Sequence, residues 1–99
     1  MTPPSSAAPI AEHADRLAGL RALAEPARLA LVDELAGGAA CACELRERLD
    51  LSAPLISHHL RVLREAGLVR TRKSGRRLEV ELDRAALAAL AGSLVEQTG

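Results

Sequence analysis

The chain has 99 residues, with 13 basic and 13 acidic side chains and no Phe, Tyr or Trp. That length suits one small domain with a core of Leu, Val, Ile and Ala. The missing rings argue against modules that grip single strands or RNA by base stacking. Two cysteines one residue apart do not make the disulfide framework of a secreted mini-protein, and no stretch reaches the roughly 18 apolar residues of a membrane span.

Residues 1–9 are rich in Pro, Ser and Ala and lack the basic-then-apolar order of a signal peptide. They are expected to form a short disordered arm ahead of one domain over residues 10–99, in a cytoplasmic protein. From Ile10 to Ala24, apolar residues at Ile10, Ala14, Leu17, Leu20 and Leu23 or Ala24 predict a first helix. Glu25-Pro26 breaks it, because proline disfavours helix at the preceding residue and starts the next helix well. A second helix is predicted over Pro26 to Ala36, with Leu29, Val32, Leu35 and Ala36 on one face, and Gly37-Gly38 ends it.

A short third helix is predicted over Cys43 to Leu49, followed by a tight turn at Asp50-Leu51-Ser52. Ser52 suits an N-cap and Pro54 a first turn. The fourth helix then places Ile56, Leu60 and Leu63 on one side and stops at Gly67. After Gly67 the period changes. Leu68 to Arg72 and Arg76 to Leu82 read as strands around Lys73-Ser74-Gly75, with Leu78, Val80 and Leu82 alternating against Glu79 and Glu81. Asp83 is placed to cap a last helix with a Leu87, Leu90 and Leu94 stripe.

Charge is concentrated in one window of this pattern. From Ser57 to Arg77 lie Arg61, Arg64, Arg70, Arg72, Lys73, Arg76 and Arg77 against a single acid, Glu65. The window carries +6, and the rest of a neutral chain carries −6. Such a distribution presents one helix and one hairpin to an anion, of which DNA is the leading candidate. Turn, glycine stop, period switch and charge together predict a winged helix-turn-helix: mainly α with a β-hairpin wing, in the order α-α-α-α-β-β-α.

In that arrangement the fourth helix enters the major groove. Its outward residues are Ala53, Pro54, Leu55, Ser57, His58 and Arg61, with Ser52 at its start. Arg61 and His58 are the leading base or phosphate contacts, Ser57 can bond either, and Leu55 and Ala53 offer apolar contact. Arg72, Lys73, Arg76 and Arg77 on the wing are expected at the backbone or minor groove, where they add affinity and salt dependence. His58 and His59 point about 100° apart on a helix. They are read as one DNA-facing and one buttressing histidine rather than a chelating pair.

Cys41-Ala42-Cys43 offers soft sulfur ligands, which select thiophilic ions. In a regular helix their side chains would point about 200° apart. Chelation therefore requires the start of the third helix to stay extended or to unwind. Oxidation of the pair, or simple burial, are the alternatives. An enzyme is not expected: there is no glycine-rich phosphate loop, and no base is arranged with the cysteines. A protein-interaction module of the same fold would bind duplexes weakly and without salt sensitivity.

Several segments resemble the ArsR/SmtB family of winged-helix metal-sensing repressors. They are Leu23-Ala24-Glu25-Pro26-Ala27-Arg28-Leu29, Cys41-Ala42-Cys43-Glu44-Leu45, Ile56-Ser57-His58-His59-Leu60 through Gly67-Leu68-Val69, and Lys73-Ser74-Gly75-Arg76. The resemblance covers roughly residues 15–95. It implies a homodimer formed through the first and last helices, repression at operator DNA, and release by an inducer. No cofactor would be required for DNA binding.

The resemblance also makes Cys41 and Cys43 a metal box, with arsenite or another trivalent arsenical as the favoured inducer. Arsenite-sensing members place a third cysteine where Arg46 stands here, so a monosubstituted arsenical fits better. In the cadmium-, lead- or zinc-sensing alternative, His13 from the partner's arm and Glu44 would complete the site. The family's other metal site needs histidines on the last helix, and Asp83 to Thr98 has none. Members usually carry more polar residues at positions 53–55, which leaves the operator sequence open.

Overall fold

The computed structural model of the chain describes residues 10–98, so the expected arm at residues 1–9 lies outside the described residues. The elements run α1 (Ile10–Leu23), α2 (Pro26–Leu35), β1 (Ala40–Cys41), α3 (Ala42–Leu49), α4 (Ala53–Glu65), β2 (Val69–Ser74), β3 (Arg77–Leu82) and α5 (Arg84–Thr98). Together α3, α4 and the β2–β3 hairpin form a winged helix-turn-helix.

Local chemistry sets the boundaries. Pro26 opens α2, and the Glu25 carboxylate caps it by accepting from the Arg28 backbone N–H at 3.1 Å. Ser52 Oγ accepts from Leu55 N–H at 3.3 Å and caps α4. Asp83 Oδ1 does the same for α5, accepting from Ala86 N–H at 2.9 Å. Between α3 and α4 the chain reverses at Asp50, which adopts a left-handed φ of 53° that aspartate tolerates better than most residues. At the end of α4, Gly67 takes a φ of 78°, and Leu68 N–H donates to Leu63 O at 3.0 Å. That bond satisfies a carbonyl the helix leaves over and turns the chain directly into β2.

One strand was not expected from the sequence. β1 pairs antiparallel with β3, Ala40 opposite Val80 and Cys41 opposite Glu79, so the wing is a three-stranded sheet in the order β1-β3-β2. Two residues are too few for alternation to register. The strand exists because β3 offers an open edge beside the start of α3. The turn is tighter and later than expected: β2 runs from Val69 to Ser74, β3 starts at Arg77, and the turn falls at Gly75-Arg76.

The core gathers Leu31 and Leu35 from α2, Leu45 from α3, Ile56, Leu60 and Leu63 from α4, Leu68, Val69, and Val80 and Leu82 from β3. The inward face predicted for α4 is therefore observed. Two other faces differ. On α2 the buried residues are Leu31, Val32 and Leu35, while Leu29 and Ala36 face outward. On α1 the expected stripe is split: Ile10, Ala14 and Leu17 are exposed, Leu20 and Leu23 are half-buried with Leu23 packed against the core, and Ala22 is buried. The cause is placement, since α1 meets α2, α4 and α5 at the domain's edge. Gly19 lets α5 approach so closely that an added Cβ would lie 3.0 Å from Leu90 Cδ2.

Candidate nucleic-acid interface and thiol pair

With Ile56, His59, Leu60 and Leu63 buried, α4 must present its other side outward. Ser52, Ala53, Pro54, Leu55, Ser57, His58, Arg61 and Arg64 are all exposed, and Leu55 is 48% exposed. The structure thus brings the predicted reading residues onto one face. It adds Arg64, one turn beyond Arg61, which sequence reasoning counted as charge without assigning it to the face.

Ion pairing divides the basic residues into two groups. Arg70 bonds Glu81 and Asp83, both at 3.2 Å. Arg77 reaches Glu79 at 3.4 Å and Glu44 at 3.7 Å. Among the described residues, no ion pair engages Arg61, Arg64, Arg72, Lys73 or Arg76. The second group is exposed, and no ion pair within the described residues offsets its charge. Arg77, also a predicted wing contact, pairs with acids of its own chain while its side chain stays 59% exposed.

The cysteines stand at the junction of wing and helix-turn-helix. Cys41 ends β1 and caps α3 in an extended conformation, with φ −75° and ψ 143°. Cys43 is already inside α3. The extended backbone at Cys41 removes the opposition that a continuous helix would impose. The two Cα atoms lie 5.2 Å apart and the sulfurs meet in disulfide contact. Cys41 is only 2% exposed, whereas Cys43 is at the surface.

Glu44 completes a capping box, its carboxylate accepting from Cys41 N–H at 2.8 Å. That carboxylate also faces Arg77 and, at 3.5 Å, Arg48. His13, on α1, bonds Arg16 at 2.9 Å and is not brought to the cysteines. Among the described residues, no group of three or more His, Cys, Asp or Glu is gathered for a metal ion. Cys41 and Cys43 are the two sulfurs that the described residues bring together.

His59 is 8% exposed and buttresses α4 from behind, while His58 is exposed beside Ser57. Burial pushes the His59 imidazole below the ordinary histidine range; the Glu25 carboxylate opposes the shift, and Arg28 and His58 add to it. No helix of the described residues is long and apolar enough to cross a membrane.

A family model described as "Bacterial regulatory protein, arsR family" matches residues 25–71, from the cap of α2 into β2. A solved structure of a possible transcriptional regulator for arsenical resistance is 41% identical, with a TM-score of 0.73, covering 79% of this chain and 81% of that one. The chain belongs to the arsR family. A second solved ArsR-family transcriptional regulator superposes with a TM-score of 0.77 at 30% identity, covering 85% of this chain and 87% of its own.

Among curated arsR-family relatives, the arsenical resistance operon repressor of Staphylococcus xylosus is 41% identical over 64 residues, 65% of this chain and 62% of that protein. The transcriptional repressor SmtB of Mycobacterium tuberculosis is 46% identical over 57 residues, 58% of this chain and 42% of that protein. The chain thus spans less than two thirds of the length of these relatives. Both bear names of repressors rather than enzymes.

Proposed function

We propose that this arsR-family chain is a homodimeric transcriptional repressor that leaves operator DNA when a thiophilic metal or metalloid binds Cys41 and Cys43. The observation that carries the reading is the position of the sulfurs. They sit where the cap of α3 and the edge strand of the wing are the same residue. A ligand that holds both sulfurs must set the backbone between them. That backbone supports α3, on which α4 rests, and β1, which is bonded to β3. A change there reaches both DNA-facing elements, and a coupling of about 1–3 kcal/mol is enough for a useful switch.

On DNA, Ser57, His58 and Arg61 would face the major groove, with Ala53 and Leu55 in apolar contact. Arg72, Lys73 and Arg76 would lie along the backbone or minor groove. Two copies joined through α1 and α5 would read half-sites about 34–36 Å apart. The exposed Leu17 on α1 and the groove beside α1 and α5, lined by Asp15, Arg16 and Gly19 and by Ala89, Leu90 and Ser93, support that mode of pairing. A trivalent arsenical is favoured as inducer, as the names of the S. xylosus relative and the solved regulator suggest. Because Arg46 occupies the third-ligand position, a monosubstituted arsenical with two open valences suits the pair better than arsenite. In a cadmium, lead or zinc complex, Glu44 and a partner's His13 would have to join, and Glu44 would first have to leave Cys41 N–H.

The test is a titration of the reduced protein with arsenite, methylated trivalent arsenical, cadmium and zinc, read by near-ultraviolet thiolate absorption. A chain without Trp or Tyr gives little background there. Saturable absorption with one ion, absent from a Cys41→Ser/Cys43→Ser variant and accompanied by release of duplex DNA, is expected. Absorption with none of them would remove the metal from the function. The disulfide contact between the sulfurs favours a second reading, a redox switch. In it the two thiols yield two electrons and two protons to an oxidant, and oxidation alone would release the DNA.

A further inference from the structure

The side chain of Arg28 joins three elements. Its Nε donates to Ala22 O at 2.6 Å, and one terminal nitrogen to Arg21 O at 3.5 Å. Both carbonyls belong to the end of α1, which carries partial negative charge; Arg21 O also accepts from Ala24 N–H at 3.2 Å. The other terminal nitrogen lies 3.2 Å from Nδ1 of His59, on α4. A guanidinium has no lone pair to offer, so Nδ1 must accept and the imidazole proton sits on Nε2. Glu25 Oε2, which caps α2, is 3.7 Å from the same Nδ1.

His59 and His58 are adjacent on α4, one buried and one exposed. A bond that fixes the direction of His59 also fixes the roll of α4 about its axis. The roll decides where Ser57, His58 and Arg61 point. From α1, the groups facing the cluster are backbone carbonyls. From the start of α2 they are the Glu25 carboxylate and the Arg28 guanidinium, and on α4 itself the neighbouring His58.

We propose that His59 is a positioning residue for DNA reading, holding α4 in register with the end of α1 through Arg28. The proposal rests on the assignment of α4 as the reading helix. Neutral His59 accepts from Arg28. A protonated His59 repels Arg28 and turns toward Glu25, exchanging one partner for the other. Acid therefore loosens the tie between α1 and α4 and weakens operator binding, without any change to a DNA-facing residue.

Two readouts test it. Nitrogen NMR of the His59 ring in the free protein is expected to show an unprotonated Nδ1 and a protonated Nε2 at neutral pH. The opposite tautomer would overturn the geometry. Affinity is then measured on a duplex selected by the parent protein from a random-sequence pool, across the histidine titration range, with thermal melting alongside. His59→Leu is expected to bind about tenfold more weakly, equivalent to about 1.4 kcal/mol, while melting no lower than the parent. His59→Gln can still accept from Arg28 but cannot titrate. It should bind like the parent at alkaline pH and lose part of the parent's weakening in acid, and it keeps the test open if the leucine variant does not fold.

Equal affinity of His59→Leu and parent, or an unchanged pH profile in His59→Gln, would refute the positioning role. A parent that binds no duplex in a salt-sensitive way would instead overturn the DNA reading, and the proposal with it. The NMR readout would still report whether Arg28 and His59 pair.

Discussion

Replacing Arg72 and Arg76 together by glutamine tests the proposal that unpaired wing cations serve DNA while paired ones serve the fold. Both are exposed and, among the described residues, without an ion pair. Each side chain that neutralises a phosphate contributes about 0.9 to the slope of log affinity against log salt. The proposed dimer loses both residues from each of its two wings, so the slope should become shallower by about 3–4. Over a fourfold rise in salt, the variant should then lose about 10²-fold less affinity than the parent. The control is Arg70→Gln/Arg77→Gln, which removes equal formal charge from arginines already held by Glu81, Asp83, Glu79 and Glu44. Its slope should change by less than about 1. Fluorescence anisotropy of a labelled duplex at several salt concentrations measures both. Equal changes in the two variants would show that pairing within the chain does not select the phosphate contacts.

Two further outcomes concern stability. Leu63 is fully buried where α4 meets the core. Leu63→Ala should cost about 2–5 kcal/mol in urea unfolding, and a loss below about 1 kcal/mol would contradict that packing. His59 is held below the ordinary value of 6.5 by burial. The unfolded chain therefore takes up its proton first as pH falls, and this histidine's contribution is full above pH 6.5 and is lost as pH drops through the lowered folded value. Urea unfolding from about pH 8 to pH 5 should accordingly show a smaller stability loss in His59→Gln than in the parent. Identical losses would mean that His59 titrates alike in both states.

The sequence by itself determined the order of helices, the turn before α4, the inward side of α4 and the window of positive charge. Each is a local property. Ser52 and Asp83 cap through their own neighbours, Gly67 takes a backbone angle other residues resist, and Ile56, Leu60 and Leu63 repeat at the helical period. Tertiary structure decided what depends on a partner distant in the chain. β1 exists because β3 has an edge to pair with, and that pairing extends Cys41 so that its sulfur meets Cys43. Ile10, Ala14 and Leu17 of α1 face outward because this helix lies at the domain's edge, with Gly19 against Leu90. Arg77 pairs with Glu79 beside it and, across the fold, with Glu44, far from it in sequence. His59 acquires its role from Arg28, 31 residues earlier. Periodicity and composition register what a residue does beside its neighbours; side-chain partners across such separations are chosen only when the chain closes on its core.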